Sequence, residues 1–187
     1  MIKLIKKIYH KLFSPYTLNL EALKRMGLKV GDNVKIMGGV KIDYGHWKHI
    51  SIGNNVTIAP DVYLLAHDAS MYNVKKYTRI GKIIIGDNVF IGLRSVVMPN
   101  VRIGENSIIG AGSLVNKSIP KNVVAVGNPI KIICSVEDFY KKIDAELDLY
   151  PKFEEGFSER SISSLKEREK KSDYMNDKMN LGIGYIR

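Results

Sequence analysis

From Ile85 to Pro120 an aliphatic residue returns at every sixth position: Ile85, Ile91, Val97, Ile103, Ile109 and Val115. Glycine follows four of them (Gly86, Gly92, Gly104, Gly110), and Val or Ser falls four places on (Val89, Ser95, Val101, Ser107, Ser113). A period of six matches neither an amphipathic helix, at about 3.6, nor simple strand alternation, at about 2. It predicts a coil of short parallel strands in which each six-residue unit supplies one flat side and one corner. The aliphatic side chain points inward, and the adjacent glycine lets the backbone turn or pack closely.

The earlier coils are looser. Val30–Lys35 and Ile36–Lys41 are two units, and Ile42 begins a third before the segment Asp43-Tyr44-Gly45-His46-Trp47-Lys48-His49 shifts the phase. Ile52–Thr57 and Ile58–Tyr63 restore it, and Leu64 keeps it. From Leu64 to Ile85 there are 21 residues where six would suffice, so fifteen are inserted, at about 68–82. A loop of that length inside a solenoid is uncommon and usually functional. Solenoids place chemistry where the period breaks, which draws attention to Leu64-Leu65-Ala66-His67-Asp68.

The flanks read as helices. Ile2, Ile5, Ile8 and Leu12 recur at helical spacing among Lys3, Lys6, Lys7 and Lys11, predicting an amphipathic helix that Pro15 ends. A second helical stretch, 18–26, stops at Gly27. After a partial coil at Val123–Pro129, Ser135–Leu149 reads as a helix with Ser135 as N-cap, and a further helix is expected around 162–171. The expected organisation is residues 1–29 as N-terminal helices capping the solenoid, 30–134 as the coiled domain with the insertion 68–82, and 135–187 as a C-terminal helix and polar tail.

Composition narrows the classes. The apolar fraction is 45%, and no run approaches the ~20 apolar residues that span a bilayer. No signal peptide is expected, because the N-terminus lacks a continuous apolar core and a small-residue cleavage site. The single cysteine, Cys134, excludes an internal disulfide framework and suits a reducing cytoplasm. The net charge of +10 is concentrated at the N-terminus, where seven basic side chains in residues 1–29 face only Glu21. Residues 1–13 are therefore expected either to cap the solenoid or to touch the inner face of a membrane. No nucleic-acid-binding module is visible, so no nucleic-acid partner is expected.

The chain resembles the hexapeptide-repeat acyltransferases, in particular the galactoside, maltose and xenobiotic acetyltransferases and the O-acetyltransferases of surface-polysaccharide synthesis. The residues that carry the resemblance are the sustained period, the loop led by His67, and the ending Ile109-Gly110-Ala111-Gly112-Ser113-Leu114-Val115-Asn116-Lys117 with Val126-Gly127-Asn128-Pro129-Ile130-Lys131. The resemblance implies an all-β solenoid, a left-handed parallel β-helix, assembled as a homotrimer that binds acetyl-CoA in a groove between neighbouring prisms. It implies no metal. By position, His67 matches the catalytic histidine. Phe90-Ile91-Gly92 stands where the family has an aromatic-Ile-Gly element flanking the cofactor arm, often with Trp. Leu93 would offer a backbone N–H to the thioester carbonyl and Ala111 one to the pantetheine amides. Asn116 is the small polar residue before Lys117, and Lys117 and Lys131 match basic positions that meet the CoA phosphates.

The chemistry asks for such parts. A sugar hydroxyl is nearly unionised at neutral pH, so a general base must take its proton as it attacks the thioester, and histidine is suited to that. The charge that develops on the former carbonyl oxygen needs a preorganised N–H donor. The expected activity is an acetyl-CoA-dependent O-acetyltransferase acting on a carbohydrate acceptor, with His67 as base. The alternatives are transfer to an amine of an amino sugar or xenobiotic, and a zinc enzyme of the γ-carbonic anhydrase kind, which needs three convergent histidines. Asp68 is a candidate for orienting the imidazole, although adjacent side chains on an extended segment point apart; a backbone carbonyl or another acid would serve equally. Tyr44, His46, Trp47 and His49, in the first phase shift, either pack that loop or line the acceptor pocket.

Overall fold

In a computed structural model the described residues are 20–154, 164–179 and 182–186. The amphipathic helix expected over 1–13 lies outside them. The chain divides into two compact units, Met1–Val136 and Glu137–Arg187.

The first unit is a three-sided parallel β-helix. Sheet A contains Lys29–Val30, Ile50–Ile52, Ile83–Ile85 and Val101–Ile103. Sheet B contains Lys35–Ile36, Thr57–Ile58, Phe90–Ile91, Ile108–Ile109 and Val123–Val126, closed by the antiparallel strand Lys131–Ser135. Sheet C contains Lys41–Ile42, Tyr63–Leu64, Val96–Val97 and Leu114–Val115. The six-residue period becomes columns of inward side chains. Ile36, Ile58, Ile91, Ile109 and Ala125 stack through sheet B. Ile42, Leu64, Val97 and Val115 stack through sheet C, and Ile52, Ile85, Ile103 and Ile119 through sheet A. Most of these side chains are fully buried, and each such Ile, Leu or Val contributes roughly 1.5–3 kcal/mol of burial. Serines replace aliphatics at Ser95, Ser107 and Ser113 because their hydroxyls donate to the carbonyls of Gly110, Pro120 and Gly110 at 3.1, 2.8 and 2.6 Å.

The prism has three edges, and they differ. Between sheets A and B every coil turns on an asparagine with positive φ: Asn33, Asn55, Asn88, Asn106 and Asn122, at 54–59°. Their amides form a continuous ladder, each Nδ2 donating to the next Oδ1 at 3.2, 3.0, 2.9 and 2.9 Å. Asparagine tolerates this left-handed backbone better than other L-residues and adds a local hydrogen bond. Between sheets B and C the turn residues are Gly39, Asp61, Arg94 and Gly112, again with positive φ. Between sheets C and A the chain makes two excursions, 43–49 and 65–82.

In the second unit, considered by itself, the helix expected over 135–149 runs Val136–Leu147 and begins at the boundary. The later helix, Leu165–Met179, extends further than expected. Lys152–Phe153 pairs with Tyr185–Ile186, Phe153 is buried against the ring of Tyr174, and the Tyr185 hydroxyl donates to Glu146 Oε2 at 2.8 Å. No helix among the described residues is long and apolar enough to cross a membrane.

Candidate active site

Ile42 and Leu64 are register partners in sheet C, so the residues that follow them leave the same edge on successive coils. Asp43 is the first residue off that edge, and its own N–H donates to the Leu64 carbonyl at 3.0 Å. Its side chain then gathers the turn around it. Oδ1 accepts the Gly45 N–H at 3.1 Å, and Oδ2 accepts the Ala66 N–H at 3.0 Å. Oδ2 also meets His67 Nδ1 at 2.5 Å. The Asp43 side chain is 2% exposed and that of His67 is 40% exposed. A carboxylate can only accept. With Asp43 ionised, Nδ1 of His67 is the donor in this contact, so in the neutral ring Nε2 is the nitrogen that holds the lone pair. The sequence alone did not single out Asp43 for this task. The signal was present: the stacking of Ile42 on Leu64 puts Asp43 and His67 on one edge.

Asp68 does not reach the imidazole as an orienting group. Its Oδ1 accepts the Ser70 N–H at 2.9 Å, closing a local turn. Its carboxyl is held below the usual carboxylate value, chiefly by that N–H and the Ser70 hydroxyl, with Arg79 and His67 adding to the effect and burial opposing it. Adjacent side chains on an extended segment diverge, as the pleat requires. His67 and Asp68 form a two-residue strand paired antiparallel with Arg79–Ile80, with His67 opposite Ile80 and Asp68 opposite Arg79. The insertion is thus a hairpin whose tip carries the short helix Tyr72–Lys75. Gly81 ends it: a Cβ there would lie 2.5 Å from the Asn100 nitrogen, so only glycine lets the chain rejoin the next coil without displacing it.

The first excursion folds over His67. The His46 N–H donates to the Asp43 carbonyl at 3.2 Å, and the His49 N–H to the His46 carbonyl at 2.9 Å, building a single 3₁₀ turn over Trp47–His49. The His46 ring centroid lies 5.0 Å from that of His67, and His49 stacks on His46 at 5.7 Å. Trp47 is structural: its Nε1 donates to the Met26 carbonyl at 3.2 Å, and it packs against the core. Tyr44 is exposed and tilts against Trp47. Among the described residues no group of three His, Cys, Asp or Glu side chains could hold a metal ion.

The expected cofactor residues divide between two edges. Phe90 projects outward from sheet B, half-exposed, and Gly92, Leu93 and Ala111 lie on the B–C edge. Lys131 begins the closing strand opposite Val126, at the same edge. Gly92 donates to the Ile109 carbonyl at 2.8 Å, and a Cβ on it would meet the Ala111 nitrogen at 2.5 Å. The Leu93 carbonyl accepts from Gly112 at 2.7 Å, while the Leu93 and Ala111 N–H groups donate to no other described residue. Asn116 and Lys117, both exposed, follow sheet C and lie on the C–A edge, two coils beyond His67. The His67 edge and the Leu93 edge are separated by the width of sheet C, roughly 15–20 Å for a six-residue side.

The comparisons with known proteins agree with this architecture. Residues 82–117 match the family model "Bacterial transferase hexapeptide (six repeats)". The chain is 36% identical over 166 residues to the protein CapG of Staphylococcus aureus, covering 86% of this chain and 95% of that one. It is 35% identical over 116 residues to the putative acetyltransferase YvoF of Bacillus subtilis, spanning 65% of that protein's length. Among solved structures, a maltose O-acetyltransferase from Clostridium difficile 630 superposes with a TM-score of 0.53 at 31% identity, covering 69% of this chain and 83% of that one. A galactoside acetyltransferase in complex with coenzyme A superposes with a TM-score of 0.50 at 33% identity, covering 68% and 77%. The prism is therefore a left-handed parallel β-helix, and the chain belongs to the hexapeptide-repeat acetyltransferases, a family of acyltransferase enzymes.

Proposed function

We propose that the protein transfers the acetyl group of acetyl-CoA to a hydroxyl of a sugar, in the assembly of a surface polysaccharide, with His67 as general base and Asp43 as its orienting partner. The observation that carries this reading is the contact between His67 Nδ1 and the buried Asp43 carboxylate, which favours the neutral tautomer whose Nε2 can accept a proton. In the reaction Nε2 takes the hydroxyl proton as the oxygen bonds to the thioester carbon. The Asp43 carboxylate stabilises the imidazolium so formed. The Leu93 N–H, free of any described partner, is a donor for the oxygen that becomes negative. The carbon–sulfur bond then breaks, and the imidazolium returns the proton to the departing thiolate. No covalent enzyme intermediate is needed.

The donor set fits CoA. The B–C edge offers the exposed amides of Leu93 and Ala111, a bare stretch at Gly92 that admits a close approach, and the Lys131 ammonium. Lys117 would meet a phosphate from the other edge. The similar galactoside acetyltransferase was solved in complex with coenzyme A. The base and these amides occupy different edges of one prism, so a complete site requires the B–C edge of one copy beside the C–A edge of another. Head-to-tail contact of that kind gives a closed ring where the rotation closes, and we propose that the ring is a homotrimer.

Two measurements test the reading together. Release of free thiol from acetyl-CoA should depend on a sugar acceptor and be lost in His67→Ala. In trimers refolded from a mixture of His67→Ala and Ala111→Trp chains, each inactive alone, activity should return, because some interfaces pair an intact base with an intact groove. Mixed trimers that stay inactive would show that the site lies within one copy.

A further inference from the structure

Asp43 fixes one atom of the His67 ring. A ring held only at Nδ1 can still swing about that contact, and 40% of this side chain is exposed. A general base has to be aimed, since an ångström of misplacement can cost on the order of 10²-fold in rate. A second constraint on the ring therefore bears on the reaction, and His46 supplies one. Its ring centroid lies 5.0 Å from that of His67, and the 38° between the two planes is nearer to a stack than to an edge-on contact. Aromatic pairs favour offset arrangements at centroid separations of about 4.5–7 Å.

His46 sits on a turn that is itself pinned. Its N–H donates to the Asp43 carbonyl at 3.2 Å. The residue whose carboxylate holds Nδ1 of His67 thus also holds the backbone of the residue whose ring lies against the imidazole. The 3₁₀ turn that follows is anchored by Trp47, whose Nε1 donates to the Met26 carbonyl at 3.2 Å and whose side chain packs against the core. His49 then stacks on His46 at 5.7 Å with 21° between the planes. The His46 ring nitrogens bond to no described residue, so the flat ring is what His46 brings to the arrangement.

We propose that His46 is a positioning residue for His67: the Asp43 carboxylate sets where Nδ1 sits, and the His46 ring sets the tilt of the imidazole, so that Nε2 is aimed before an acceptor arrives. The proposal rests on the acetyl-transfer reading above and adds a residue to its machinery. His46 acts through His67 by the shape of its ring, and its nitrogens have no part in the proton transfer. A supporting group of this kind lowers kcat when removed and leaves the binding of acetyl-CoA alone.

The test reads the ring first and the rate second. In the protein saturated with CoA and labelled with ¹³C in its histidine rings, NMR relaxation should show the His67 ring rigid in the wild type and mobile in His46→Ala and His46→Gln. It should be rigid again in His46→Phe, which keeps a flat ring and drops both nitrogens. Thiol release from acetyl-CoA with methyl β-D-galactoside as acceptor should follow the same order. We expect kcat about ten-fold lower in His46→Ala and His46→Gln and within about three-fold of wild type in His46→Phe, with KM for acetyl-CoA unchanged throughout. Gln and Phe both fill the site, so their comparison stands even where Ala destabilises the turn, and retained CoA binding shows that each variant is folded. A His67 ring as rigid in His46→Gln as in the wild type would overturn the proposal. So would a rate that Gln restores and Phe does not, since the nitrogens would then be what matters. Failure of the acetyl-transfer reading has a different signature, namely thiol release that survives His67→Ala while the His67 ring still responds to substitution at His46.

Discussion

The A–B and C–A edges of the prism are made from the same repeat and do opposite things. Along A–B the period never slips, each corner is an asparagine in the left-handed region, and each side-chain amide bonds to the next. Along C–A the period is broken twice, and the breaks carry His67 on the buried Asp43 together with His46 and His49, whose ring nitrogens bond to no described residue. A regular edge spends its polar groups on its own neighbours, coil upon coil. An interrupted edge frees them, and because the interruptions sit on rigid coils their side chains stay fixed.

The comparison breaks most sharply at His67. His67→Ala should lower kcat by roughly 10²–10⁴-fold, the usual worth of a positioned general base, with CoA affinity close to wild type. Turnover on the true acceptor that survives this change would demote His67 to a loop residue. Acid that protonates the imidazole should stop the reaction for the same reason, since a protonated ring cannot accept the hydroxyl proton.

Asp43→Asn comes next. An amide cannot fill the carboxylate's place, because the Gly45 and Ala66 N–H groups and His67 Nδ1 all require an acceptor there. The tautomer of His67 is then no longer fixed, and we expect kcat to fall by about 10²-fold or more, within the range known for orienting carboxylates, while KM for acetyl-CoA holds. Asp68→Asn should cost far less in kcat, and a larger loss there than at Asp43 would reverse the assignment.

Two smaller effects sharpen the contrast from the structural side. Gly92→Ala forces a methyl against the Ala111 nitrogen, and overpacking of this kind costs roughly 1–3 kcal/mol. It should lower the melting temperature and CoA affinity together. Asn88→Ala, on the regular edge, loses two ladder hydrogen bonds and puts alanine at φ 56°. A loss of about 1–2 kcal/mol is expected, with kcat unchanged; Asn88→Gly should recover part of it, because glycine adopts that φ freely. A change in kcat with either Asn88 variant would mean that the two edges are coupled.

The sequence by itself determined the solenoid. The period of six is a local property, repeated often enough that only a coil of short strands buries Ile85, Ile91, Val97, Ile103, Ile109 and Val115 together. His67 was legible for the same reason, since a break in a period is as visible as the period. The long insertion was legible as a loop, though its hairpin pairing of His67–Asp68 with Arg79–Ile80 was not, because those short segments carry no alternation of their own. What only the tertiary structure decided depends on which residues stack from coil to coil. Asp43 and His67 are 24 positions apart, and their meeting follows from the stacking of Ile42 on Leu64 across an irregular segment whose phase the sequence leaves open. The neighbouring Asp68, closer in the chain, turns to Ser70 and does not meet the imidazole, because successive side chains on a strand diverge. The split of Leu93 and Ala111 from His67 onto different edges was likewise a matter of three-dimensional winding: a flat reading places them in one run, and a three-sided coil carries them to opposite sides of sheet C.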